Sequence, residues 1–175
     1  VNMLDGVHGG AGEQAVELYH WVHDAVQKGN ELEEAAAQMI DRWQNERTKF
    51  IPGFGHRFHK PEDPRTPRLL DLIDEAAQTG TVDGCFVKIG RVIQQTLNSR
   101  KGKPIPMNID GATAVIYAEL GFAGPLARGL FCLSRSVGIV AHAWEQMNQG
   151  GRNKGPTPPA YRWTYSGPNP IEGSN

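Results

Sequence analysis

His8 in GVHGGAGE, His56 in PGFGHRF and Asp110 in MNIDGATAV are polar groups set in glycine-bearing turns or at helix ends. Loop residues held by a rigid scaffold are where catalysis concentrates. Histidine moves protons near neutral pH, and an aspartate can serve as a base. Each residue taken singly also has a plainer use, His8 as a hydrogen-bonded turn residue and Asp110 as a helix N-cap. Arg135 interrupts the apolar run LFCLSRSVGIV. A buried guanidinium needs an anion, which is either a structural carboxylate or a substrate carboxylate held bidentately. Arg65, following Asp63-Pro64, has the same two readings. His56-x-x-His59 lacks paired cysteines and runs into Pro61 in a loop, so no metal is expected there. His20 and His23 read as surface positions, and His142 as a core histidine.

These groups need elements to hold them, and the elements read as helices. Leu32, Ala35, Ala36, Met39, Ile40 and Trp43 recur on one helical face, as do Val16, Tyr19, Val22 and Val26. Lys28-Gly29-Asn30 supplies a stop and the next N-cap. After the loop, Thr66-Pro67 is an N-cap with proline at the first helical position. Leu69, Leu70, Ile73, Ala76 and Ala77 follow as a stripe that Gly80 ends. Asp83 can cap a helix carrying Val87, Val92, Ile93 and Leu97. Asp110 opens another, through Ala114, Val115 and Leu120. A last helix from Pro125 to about Met147 is apolar nearly all round, which predicts a central, buried position. The expectation is six helices, all-α, with three chemically unusual loops at 5–12, 51–65 and 101–110.

Composition narrows the function classes. The chain has 175 residues, 39% hydrophobic content and a formal net charge of −1, which gives no electrostatic footprint for nucleic acid. No stretch reads as a membrane span or signal peptide. Cys85 and Cys132 read as small buried apolar residues in a reducing, cytoplasmic setting. The start, VNMLDGVHGG, opens on a glycine-rich loop without an initiator methionine, as expected of the C-terminal part of something longer.

PGFGHRF with DPR after it, NIDGATAV, LSRSVGIVAHAWEQ and VHGGAGEQA together resemble the citrate synthase superfamily. That family includes citryl-CoA lyases and the C-terminal module of ATP-citrate lyase. The resemblance implies a citrate synthase-like helical fold over 1–167, the C-terminal part including the small domain, and a disordered tail at 168–175. An N-terminal large-domain segment would be missing. It implies that Asp110 takes a proton from the acetyl methyl of acetyl-CoA, while His8 hydrogen-bonds the thioester oxygen. His56 would polarise the ketone of oxaloacetate, and Arg65 and Arg135 would clamp its carboxylates. Pro52, Gly53, Phe54 and Gly55 match the loop that receives the coenzyme A adenine. Lys101 and Lys103 stand in the family's second coenzyme A segment. Arg162, in Tyr161-Arg162-Trp163, matches an arginine that completes the partner subunit's site in a homodimer with exchanged arms. The coenzyme A thioester enters as substrate, with no tightly bound cofactor. NIDG and GHRF tilt the likeness toward citryl-CoA lyase over citrate or 2-methylcitrate synthase. A reading from another class is a non-catalytic coenzyme A-binding fragment or pseudoenzyme, against which the intact His8, His56 and Asp110 argue.

Overall fold

The computed structural model describes residues 10–150 of the chain. Six helices follow in order: α1 (Gly10–Gln27), α2 (Leu32–Glu46), α3 (Thr66–Gln78), α4 (Cys85–Lys101), α5 (Ile109–Glu119) and α6 (Gly124–Asn148). No strand forms among the described residues, and Phe54 and Met107 make an isolated antiparallel bridge. The all-α expectation holds. The chain divides into two compact units, one through Gly138 and one from Ile139. No described helix is long and apolar enough to cross a membrane.

In the first unit α1 is the hub, packing on α5, α2 and α4. It can do so because Ala15, Val16, Leu18, Tyr19 and Val22 cover more than one face and are fully buried. The α2 stripe read from sequence is buried at Ala35, Ala36, Ile40 and Trp43. The α5 face buries only small residues besides Val115, namely Gly111, Ala112, Ala114 and Ala118, which lets it lie close to α1. Burying such side chains stabilises by about 25 cal/mol per Å² of apolar surface.

The helix ends depart from the short-range reading. Asn30 and Asp83 do not cap; Glu31 and Gly84 occupy those positions without side-chain caps. Arg65 rather than Thr66 precedes α3, and the Thr66 hydroxyl instead donates to the Met107 carbonyl at 2.9 Å. The donors at the start of α4 are satisfied from another helix. The Glu119 carboxylate accepts the N–H groups of Gly84 (3.1 Å), Phe86 (2.7 Å) and Val87 (3.1 Å).

The largest departure is α6, where Ala127 is the one buried residue. Leu133, Val137 and Leu126 are exposed in the first unit, as are Val140, Trp144 and Met147 in the second. The expectation of a central helix fails because no described element packs over these side chains. His142 is exposed as well, so it is no core histidine. Both cysteines are free and half-buried rather than buried.

Candidate active site

Two loops build the site. The first, residues 51–65, runs from α2 to α3. Ile51, Pro52 and Gly53 are buried, Phe54 to His56 half-buried, and Arg57 and Phe58 exposed. The second, residues 102–108, runs from α4 to α5. Gly53 has φ of +82°, a conformation that side chains rarely adopt, and it lies against Gly111.

His56 sits at the end of the first loop. Its Nδ1 accepts the backbone N–H groups of Phe58 (3.1 Å) and His59 (2.9 Å). With Nδ1 an acceptor, the ring proton of the neutral imidazole lies on Nε2, which makes Nε2 a donor. The His59 ring stacks on it at 4.3 Å.

Arg65 is fixed by Asp63, which is fully buried. The Arg65 Nε donates to Oδ1 at 2.9 Å and Nη2 to Oδ2 at 2.7 Å, and the Arg65 backbone N–H reaches Oδ1 at 3.1 Å. This fork-on-fork pair holds the Asp63 carboxyl down to about 2. Arg65 therefore has its structural carboxylate, and its side chain remains about half exposed. His56, His59 and Asp63 also offer ligand atoms within 4.8 Å of one another. Both Asp63 oxygens also serve Arg65, and the His56 Nδ1 serves two amides.

Asp110 stands in the first turn of α5. It is not the cap: Asn108 is, its Oδ1 accepting the N–H groups of Asp110 and Gly111. Asp110 is half-buried, and burial pushes its carboxyl above the usual range. Arg65 and Arg135 pull it back down, Asp63 pushes it up, and His56 pulls it down. Three of the predicted site residues thus act electrostatically on the fourth. Arg135 is not buried as its sequence setting predicts. It is exposed, with its guanidinium 5.4 Å from the centre of the Phe131 ring. The need for a buried counter-ion disappears, and among the described residues no carboxylate forms an ion pair with it.

Gly53 and Gly55 commit their backbone groups inside the fold, to Asn108 and Pro106. The Phe54 ring meets Tyr19 edge-on at 6.4 Å. Lys101, the last residue of α4, and Lys103 are both exposed. His8 and Arg162 lie outside the described residues, as does the tail at 168–175. Sequence reasoning missed Asn108 and the tie of Asp63 to Arg65. For Asn108 the available signal was an N-cap residue type standing two positions before Asp110 in MNIDG.

A model of the citrate synthase C-terminal domain matches residues 4–159. The chain belongs to that family. A citrate synthase of Acidithiobacillus ferridurans is 29% identical over 143 residues, which is 81% of this chain and 35% of that protein. The chain therefore spans about a third of the length of that curated relative. Among solved structures, citryl-CoA lyase from Hydrogenobacter thermophilus is 30% identical with a TM-score of 0.70, covering 97% of this chain and 62% of that one. Citrate synthase from Thermotoga maritima MSB8 is 28% identical with a TM-score of 0.64, covering 97% and 42%. The citrate synthase-like helical fold is thus established for this family member.

Proposed function

We propose that the chain carries part of the active site of an enzyme that makes or breaks the carbon–carbon bond between acetyl-CoA and oxaloacetate, by way of citryl-CoA. The observation that carries this reading is the setting of Asp110. A carboxyl raised by burial lies in the combined field of one histidine and two arginines. Raised carboxyls beside specific charge partners mark proton-transfer sites.

In the condensing direction Asp110 takes a proton from the acetyl methyl, and His8 stabilises the enolate oxygen. Arg65 and Arg135 hold the carboxylates of oxaloacetate, and the His56 Nε2–H points its donor at the ketone. The carbanion then attacks that carbon, and the alkoxide formed, stabilised by the Nε2–H, takes its proton from water. In the cleaving direction the His56 Nε2–H stays hydrogen-bonded to the hydroxyl oxygen of citryl-CoA, whose proton passes to water, and the carbon–carbon bond breaks. Its electron pair passes to the thioester enolate, and protonated Asp110 returns a proton to the methylene carbon. A carbanion beside a thioester needs both a positioned base and a donor at the developing oxyanion, each supplying orders of magnitude in rate. Phe54, Lys101 and Lys103 offer contacts for coenzyme A, whereas Pro52 is buried, and Arg162 would reach the site of a partner copy in a homodimer.

Cleavage is the direction we favour, on the likeness to citryl-CoA lyase; the name of the curated relative supports synthesis as a second reading. Incubating the full chain with citryl-CoA, and separately with acetyl-CoA plus oxaloacetate, separates them. A lyase releases acetyl-CoA and oxaloacetate from citryl-CoA without free coenzyme A. A synthase yields citrate and free coenzyme A. Turnover with neither would reject the enzyme reading in favour of a coenzyme A-binding module, detectable as a rise in Tm with coenzyme A.

A further inference from the structure

Asn108 connects the two loops of the site, and its side chain works in two directions. Toward α5, Oδ1 accepts the N–H groups of Asp110 (2.9 Å) and Gly111 (3.2 Å). Toward the first loop, Nδ2 donates to the Gly55 carbonyl at 2.8 Å. Gly55 immediately precedes His56. One planar amide therefore touches the backbone of the base and the backbone next to the histidine. Turning the amide over would set its NH2 group against two N–H donors, so this orientation alone satisfies all three partners.

The surrounding contacts make Asn108 a strut rather than an isolated bridge. Its backbone N–H donates to the Gly53 carbonyl at 2.9 Å, and the Gly55 N–H donates to the Pro106 carbonyl at 2.7 Å. Behind it Gly53 and Gly111 are pressed together. A Cβ on Gly111 would stand 2.3 Å from the Gly53 carbonyl oxygen, and one on Gly53 would stand 2.7 Å from the Gly111 Cα. The two backbones can close to this distance only as glycines. Capping by itself does not call for asparagine, since serine or aspartate caps as well. The donor arm toward Gly55 does, because those side chains cannot cap two amides and also present an N–H at that reach.

We infer that Asn108 is a positioning residue that sets the spacing between His56 and Asp110, and thereby between the ketone and the carbon to be deprotonated. The inference rests on the proposed function for its catalytic consequence, and on the hydrogen bonds alone for its structural one. Misplacing a reacting group by about 1 Å can lower a rate about a hundredfold.

Asn108→Ser keeps a capping oxygen and loses the arm to Gly55; Asn108→Ala loses both. Both variants of the full chain are followed by amide hydrogen exchange, thermal melting and steady-state kinetics. In Asn108→Ser the Gly55 and His59 amides should exchange about tenfold faster while those of α1 and α4 stay protected, with Tm close to that of the parent. The kcat should fall about tenfold or more while KM for the keto acid changes less than about threefold. Asn108→Ala should show the same kinetic loss and a lower Tm. A purely structural residue would lower Tm in both variants and leave the kcat of the folded fraction unchanged. Unchanged exchange at Gly55 in Asn108→Ser overturns the strut. Faster exchange with an unchanged kcat overturns its role in positioning. A parent chain without turnover rejects the proposed function alone, and the exchange data then decide the strut.

Discussion

At the scale of the residue, Asp63 is what turns Arg65 from a mobile surface cation into an oriented one. Its carboxyl is held down to about 2, chiefly by the hydrogen bonds from Arg65. A carboxyl lower in the folded than in the unfolded chain adds stability above its unfolded value of 3.8, and that stability is lost as pH falls toward about 2. Arg65 is half exposed, so solvent screens the pair. Asp63→Asn should therefore lower stability by about 1–2 kcal/mol at pH 7. The difference should shrink between about pH 4 and pH 2 in urea titrations. An equal loss at pH 7 and pH 2 would assign the effect to packing and not to charge. His56, Asp110 and Arg65 could be singled out as candidates from the sequence because each stands in a motif of contiguous residues. The Asp63–Arg65 bond was not, because its meaning depends on the fork geometry and on the full burial of one partner.

At the scale of the element, the helices were legible and several of their ends were not. Periodicity within one helix reports which face is buried, and the stripes on α1, α2 and α3 lie where their spacing puts them. Caps supplied from another helix leave no local signature. Asp83 was the capping residue nearest in sequence, yet the start of α4 is capped by Glu119 from the end of α5. Glu119→Ala leaves three amide donors at a helix N-terminus without their acceptor. It should destabilise by about 1–2 kcal/mol, read as a lower midpoint in urea with an unchanged m-value. A shift under about 0.3 kcal/mol would mean that water replaces the carboxylate without loss. The α6 reading failed for a related reason. An apolar helix predicts that something covers it, and sequence alone does not say whether the cover lies within the same 175 residues.

At the scale of the whole molecule, loops 51–65 and 102–108 are joined by a backbone bridge and the Asn108 amide, and Gly53 of the first loop packs on Gly111 of α5. Those bonds make one rigid platform from segments far apart in the chain. The fold family was legible because its motifs recur in order across most of the sequence, and the match over residues 4–159 agrees with them. The interplay of charges at Asp110 was not legible, because it needs the three-dimensional approach of three separate segments.

The most direct measurement is the activity and melting of Asp110→Asn in the full chain. Burial raises the Asp110 carboxyl in the folded state, so its ionisation begins to oppose folding as the pH passes the unfolded value of 3.8 and does so in full above the raised value. At pH 7 the variant should melt at or above the parent, and the advantage should vanish below pH 3.8, where the carboxyl is protonated in both states. Its kcat for the citryl-CoA reaction should fall by about 10²–10⁴, the usual share of a general base. The acid limb of the parent's pH–rate profile should lie above the ordinary carboxylate value of 3.8. A variant that keeps activity within about threefold of the parent, at full folding, would contradict the assignment of Asp110 as the base.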